Sequence, residues 1–164
     1  MRLPNANELE TILRDRMQSR LRSGEYYSPL YMLPFKQSLA IMWAAPWTLC
    51  GVGLGTLALV SGGRGRRVGR VLEFHGGLLE RLLRRVPIAG GAAAMTLGHC
   101  VIARSAEDLD RCRRHELVHV GQYERWGPLF VPAYLACSAW QWVQSRDPYL
   151  DNPFEIEAYD ADAA

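Results

Sequence analysis

The chain has almost no lysine and little net charge. Lys36 is its only lysine, arginine supplies nearly all of its positive charge, and the formal net charge at pH 7 is +2 over 164 residues. Proteins that bind nucleic acid need a strong positive potential to hold phosphates. We therefore expect no nucleic-acid partner.

Cysteines are also few, and their spacing forms no framework. The four cysteines are Cys50, Cys100, Cys112 and Cys137, and none forms a CxxC pair. Thiols placed this way are typical of buried, reduced cysteines rather than of a disulfide scaffold. Cys112 precedes His115 by three residues and is a candidate metal ligand, although packing is the commoner role for such a residue.

Charge is missing altogether from residues 37–63. This apolar stretch is long enough to span the hydrocarbon core of a bilayer, so we predict that it inserts into a membrane. Pro46 leaves two alternatives open, a re-entrant segment or a hairpin of two short buried helices. The arginines that follow from Arg64 onward favour a cytoplasmic location for residues 64–164.

The segment before this stretch, residues 1–36, is predicted to be an amphipathic arm. Its apolar positions recur at helical spacing and are flanked by arginines; they are Leu9, Ile12, Leu13, Met17 and Leu21. Such a helix either lies on an anionic membrane surface or packs on its own domain. Both interpretations stay open.

Residues 64–164 alternate between strand and helix patterns and predict an α+β domain. Residues 66–75 and 94–103 have the composition of strands, and a short helix ends before Pro87. A longer helix is predicted to begin after Ser105, its N-cap, and to stop at Gly127-Pro128.

That longer helix carries the pentapeptide His115-Glu116-Leu117-Val118-His119. Residues four apart share a helix face, so both imidazoles can reach one Zn²⁺. Glu116 then lies beside the metal and can take a proton from a zinc-bound water. We predict His115 and His119 as metal ligands and Glu116 as the catalytic base.

A catalytic zinc usually has a third protein ligand, and two glutamates are candidates. Asn152 and Pro153 predict the start of a helix whose first turn contains Glu155, with Glu157 two residues further on. Two histidines and one glutamate form a standard ligand set. The spacing within this helix leaves both carboxylates as candidates for the third metal ligand.

The motif together with Glu155-Ile156-Glu157-Ala158 resembles the gluzincin branch of the zincin metallopeptidases. The resemblance implies Glu155 as the third ligand and Ala158 as a close helix–helix contact. Tyr159 stands where those families carry a carboxylate or amide that orients a histidine ligand, and Glu157 or Asp160 could replace it.

The stretch from Gly98 to Tyr159 also resembles small bacterial proteins predicted to bind metal. The resemblance implies a short twisted sheet, an edge strand near residues 97–103 beside the cleft, the motif helix and a helix that carries the glutamate. His99 and Tyr159 are candidate oxyanion donors and Tyr123 a candidate metal-facing residue, although structural roles are commoner for all three.

These patterns predict a membrane-associated, zinc-dependent, peptidase-like hydrolase that binds a peptide or protein substrate. An edge strand could bind an extended peptide by backbone pairing. The alternative is a membrane-anchored module that keeps zinc for structure or partner binding and catalyses nothing.

Overall fold

The computed structural model describes residues 34–88 and 90–163, so most of the predicted amphipathic arm lies outside the described residues. The described part is mixed α+β with a small sheet and an N-terminal apolar helix, as predicted, and the sheet has four strands. In chain order the elements are α1 (Pro34–Val60), β1 (Arg64–Val68), β2 (Val71–His75), α2 (Leu78–Leu83), β3 (Ala94–Leu97), β4 (Cys100–Ala103), α3 (Ala106–Trp126), a 3₁₀ turn (Gly127–Leu129), α4 (Phe130–Val143) and α5 (Pro153–Ala163).

The sheet corrects both strand predictions. Residues 66–75 and 94–103 each form part of an antiparallel hairpin rather than one strand, with turns at Gly69 (φ +60°) and Gly98 (φ +61°). These backbone angles are in the left-handed region that glycine adopts without strain. A Cβ on Gly98 would also lie 2.2 Å from the hydroxyl oxygen of Thr48 in α1. Glycine is therefore needed at position 98 both for the turn and for the close contact with α1.

The strand order is β1-β2-β4-β3, with β2 and β4 parallel. The edge strand on the side of β4 is therefore β3, whereas the sequence placed the edge over residues 97–103. Alternate side chains divide between two hydrophobic layers. Phe74 and Ile102 face α1 and α2, whereas Val71 and Val101 face α3. The sheet thus lies between α1 and α3.

α1 is a single helix of 27 residues that contains Pro46, so the alternative of a helical hairpin broken at this proline is wrong. Small residues let it approach the sheet closely. A Cβ on Gly55 would lie 2.4 Å from the ring of Phe74, and one on Gly51 would lie 2.4 Å from Cβ of Cys100. Within the described residues, Ser38–Val60 is the one helical stretch long and apolar enough to cross a membrane, a test that some core helices also pass.

Caps fix the two helices that carry the motif residues. The Ser105 hydroxyl accepts a hydrogen bond from the backbone N–H of Asp108 at 3.0 Å and begins α3, as predicted. Asn152 accepts one from the backbone N–H of Phe154 at 3.0 Å at the start of α5. Its amide also donates to the carbonyl of Tyr134 and to the hydroxyl of Ser138 in α4. Asn152 therefore sets the position of α5 against α4.

Candidate metal centre

The five residues of the pentapeptide are all buried, because α3 packs against the sheet on one side and against α5 on the other. Leu117 and Val120 belong to the hydrophobic layer beneath the sheet. His115 and His119 face α5 instead, and their rings meet edge to face with centroids 4.8 Å apart. The helical spacing thus places both imidazoles at one interface.

Glu155 of α5 completes a buried cluster with the two histidines, whose ligand atoms all lie within 4.8 Å of one another. The two Nε2 atoms are 3.1 Å apart. One Glu155 oxygen lies 3.1 Å from Nε2 of His115, and the other lies 3.5 Å from Nε2 of His119. The three side chains predicted as ligands are therefore together, and the cluster could hold a metal ion.

The far nitrogens of both rings have partners of their own. Nδ1 of His119 lies 2.8 Å from the side-chain oxygen of Gln122, an acceptor, so this nitrogen carries the proton. Its Nε2 then presents a lone pair to the cluster. Nδ1 of His115 lies 3.7 Å from a carboxylate oxygen of Asp162. Partners of this kind orient histidine ligands in metal sites.

Glu155 is held as a charged carboxylate. Burial by itself would raise its pKa, but contact with His115, the electrostatic effect of the nearby His119 and a hydrogen bond from the Tyr134 hydroxyl lower the pKa overall. Tyr134 donates to Oε1 at 2.7 Å, and burial together with Glu155 raises the pKa of this phenol, which stays protonated. Tyr134 thereby fixes the rotamer of the carboxylate.

The chemistry of the cluster fits a bound cation. Oε2 of Glu155 is buried and has no hydrogen-bond partner among the described residues. It faces Nε2 of His115, and the lone pair of His119 points to the same region. Converging acceptors repel one another unless a cation lies between them. Two imidazoles and one carboxylate suit Zn²⁺ and other divalent transition metals.

The acidic groups around His115 also raise the affinity of its ring for a proton. Burial lowers its pKa, but the contact with Glu155 and the charges of Glu116 and Asp162 outweigh burial and raise the pKa above its ordinary value. Protons and metal ions therefore compete for this ring, since a ligand histidine must be neutral.

Glu116 lies beside the cluster and not in it. Its Oε2 accepts a hydrogen bond of 2.7 Å from the hydroxyl of Thr96, which lies on edge strand β3. Burial raises the pKa of Glu116, against the opposing effects of His119 and Thr96. A carboxylate with a raised pKa beside a metal site is suited to accept a proton near neutral pH.

The rival ligand, Glu157, lies outside the cluster. It is half exposed, pairs with Arg125 and accepts a hydrogen bond of 2.9 Å from the amide of Gln122. Because Gln122 also contacts His119, Glu157 helps to orient that ring indirectly, through Gln122. The sequence suggested Glu157 or Asp160 as the group that hydrogen-bonds a histidine ligand, and among the described residues Glu157 reaches His119 only through Gln122. Asp160 is exposed, and the group beside His115 is Asp162.

The remaining candidates have other partners. Cys112 packs against the hydrophobic layer between α3 and the sheet. Nε2 of His99 lies 2.9 Å from Glu124, which also pairs with Arg70. Tyr123 is buried with its ring 4.3 Å from that of Phe130, and the ring of Tyr159 lies 4.8 Å from that of His115, tilted by 59°. Tyr159 alone of these touches the cluster.

The contributors to the centre that the sequence analysis missed include Thr96, Gln122, Tyr134 and Asp162. Gln122 alone had a usable signal, because it follows His119 by three residues and so shares its helix face. Thr96 and Tyr134 come from other elements, and helix periodicity says nothing about such contacts.

The fold and this cluster define an α+β protein with a candidate metal centre between two helices. No protein family, curated protein or solved structure matches the chain at a significant level. The resemblance to zincins thus rests on the motif residues.

Proposed function

We propose that this protein is a zinc-dependent hydrolase of the peptidase type with a zincin-like arrangement. The observation that supports the proposal most is the convergence of His115, His119 and Glu155 within 4.8 Å, with Glu116 adjacent. The proposed ligands are these three side chains, and the substrate is a peptide or protein. When bound, Zn²⁺ would supply Lewis acidity to water and to a substrate carbonyl.

Glu116 is the proposed base. Thr96 holds one of its oxygens at 2.7 Å and so fixes the orientation of the carboxylate. The raised pKa lets Glu116 take a proton from the attacking water and pass it to the leaving amine. Gln122 and Asp162 keep the histidines oriented, and Tyr134 keeps Glu155 oriented. Thr96 also places edge strand β3 beside the base, where an extended peptide could pair with the strand.

A second function is favoured by the burial of the centre. Glu116 is 5% exposed, and Glu155 is 3% exposed. Structural zinc sites are closed, whereas catalytic sites keep a position open to substrate. A module that uses zinc to fix α5 against α3, without hydrolysis, accounts for this burial.

Metal analysis combined with a peptide-cleavage assay tests both functions. We expect about one zinc per chain, and a Glu116→Gln variant that retains zinc but loses activity by a factor of 10² or more, as expected for a lost general base. Glu107→Gln, an exposed glutamate on the same helix, is the matched control.

The results of these two measurements distinguish the catalytic function from the structural one. Zinc binding with no cleavage of any peptide by the unaltered protein would support the structural role. Absence of zinc from the purified, zinc-supplemented protein would contradict both.

A further inference from the structure

The face of α1 that points away from the sheet is apolar, and the other described residues leave it largely uncovered. The buried residues of α1, Ala44, Gly51, Gly55 and Ala58, recur at helical spacing on the face that touches the sheet. The opposite face carries Met42, Leu49, Leu57 and Val60; Leu49 is 70% exposed and Val60 is 83% exposed. A helix face in contact with water normally carries charge, and Ser38–Val60 carries none.

Helix α4 repeats this pattern. It has no charged residue, and its exposed side chains include Leu135, Trp140 and Trp142, the last 73% exposed. α1 contacts the 3₁₀ turn that leads directly into α4, where the indole of Trp47 donates a hydrogen bond of 3.1 Å to the carbonyl of Pro128. Four of the five tryptophans are exposed: Trp43, Trp126, Trp140 and Trp142. Exposed tryptophans are typical of proteins that sit at the boundary of lipid and water.

The packing of α1 argues against its crossing a bilayer. Contacts with the domain continue along α1 from Trp43, which lies against Gly127, to Ser61 just after the helix, whose hydroxyl accepts a hydrogen bond from the backbone N–H of Leu78. These contacts cover roughly 27 Å of helix axis at about 1.5 Å per residue. That distance is nearly the thickness of a hydrocarbon core. A crossing helix would therefore take the sheet with it into the lipid.

The sheet is unsuited to that environment. Glu73 on β2 is buried in an ion-pair network with Arg66 and Arg113, and charged groups are costly in hydrocarbon. A helix that lies in the plane of the membrane has no such penalty, because only its bare face leaves the water.

Arginines sit at the end of this apolar surface. Arg64 follows α1 closely, and Arg81 and Arg85 are on and just after α2, which packs against α1. All three are exposed, and among the described residues none has a carboxylate within ion-pair distance. Unpaired arginines beside an apolar face complement the phosphates of an anionic bilayer.

From these observations we infer that the protein docks flat on an anionic membrane surface. The outer faces of α1 and α4 enter the interface, and Arg64, Arg81 and Arg85 contact the lipid head groups. Since Tyr134 of α4 also holds Glu155, this orientation places the metal centre next to the bilayer.

Vesicle sedimentation of the full chain tests the inference. The probes are vesicles of phosphatidylcholine alone and vesicles containing phosphatidylglycerol. We expect the protein to be purified without detergent and to bind the anionic vesicles reversibly, with much weaker binding to neutral ones. Arg85→Ser should weaken binding about five-fold, the effect of one arginine near a charged surface. Arg111→Ser, which removes an exposed charge from α3, should leave binding unchanged.

Apolar variants test the two helices. Leu49→Gln and Trp142→Gln should each weaken vesicle binding about ten-fold or more, because each removes a large apolar side chain from the interface. Both residues are largely exposed, so circular dichroism and thermal melting should be unchanged. Ile156→Gln is the control, since Ile156 is exposed on α5, which is neither of the two helices proposed to enter the interface.

The reactivity of the Cys50 thiol can show whether the exposed face of α1 is covered, because Cys50 is the exposed member of the four cysteines. In the vesicle-free monomer we expect it to react with a membrane-impermeant maleimide, and on anionic vesicles to be protected. Protection in the vesicle-free monomer would show that residues 1–33 cover the face, and protection in a dimer that a second copy does. Either result would overturn the inference, as would failure to bind vesicles or a need for detergent to extract the protein.

Discussion

Among the described residues, two histidine–glutamate clusters differ in one respect that decides their chemistry. In the first, His115, His119 and Glu155 direct acceptor atoms to a common region. In the second, His99 contacts Glu124, and Arg70 lies 2.9 Å from the same carboxylate. The arginine supplies the positive charge that the first cluster lacks. A histidine beside a glutamate is therefore a candidate metal site only where no cation of the protein already neutralises the carboxylate.

The largest effect should come from removing the third ligand. Glu155→Ala should lower zinc affinity on the order of a thousand-fold, because each ligand contributes a large share of the binding free energy. Isothermal titration or a competing chelator measures the affinity. Glu157→Ala, two residues away, should change it far less; equal losses from both variants would show that Glu155 is not a ligand.

The second cluster should respond in stability instead. Glu124→Ala leaves Arg70 and His99 without their carboxylate and should lower the free energy of unfolding by about 3 kcal/mol, as for other partly buried ion pairs. Urea denaturation measures this change. Zinc content should stay at the level of the unaltered protein, and a loss of zinc would remove the distinction between the clusters.

A smaller effect is expected from the group that orients His119. Gln122→Leu removes the acceptor for Nδ1 and should weaken zinc binding by roughly 10- to 100-fold, the usual range for such partners. His99→Gln makes a comparable change in the second cluster and should leave zinc affinity unchanged. Titration with a fluorescent zinc indicator distinguishes the two variants.

The smallest effect concerns pH in the zinc-free protein. The pKa of His115 is raised above 6.5, so its contribution to stability is complete below that pH and is lost as pH rises through the folded pKa. The pKa of Glu155 is lowered below 4.5, so its contribution is present above that pH and is lost as pH falls.

The pair should therefore stabilise the zinc-free protein most between about pH 4.5 and 6.5. Thermal melts with chelator at several pH values, compared with Glu155→Gln, measure this contribution. Stabilisation by added zinc should instead increase with pH, since zinc and protons compete. A contribution of Glu155 that grows steadily above pH 7 without zinc would contradict the assignment.

The sequence predicted the local features of the fold well and the connections between elements less well. Caps at Ser105 and Asn152, and the helices they begin, follow from short-range hydrogen bonding, and both are confirmed. The hairpins at Gly69 and Gly98 were missed, because a five-residue strand and a longer one have the same composition. Pro46 suggested a break in α1, but the helix continues through it.

The sequence by itself determined the spacing of His115 and His119 and the absence of charge from residues 37–63. Both are properties of neighbouring residues, and helix geometry converts them directly into shared faces. Only the tertiary structure decided which glutamate joins the histidines. Glu155 and Glu157 lie on nearly opposite sides of α5, and Asn152 sets the side that faces α3 through its contacts with α4. Which glutamate faces the histidines depends on how two helices far apart in the sequence pack together. The spacing of neighbouring residues carries no information about that packing.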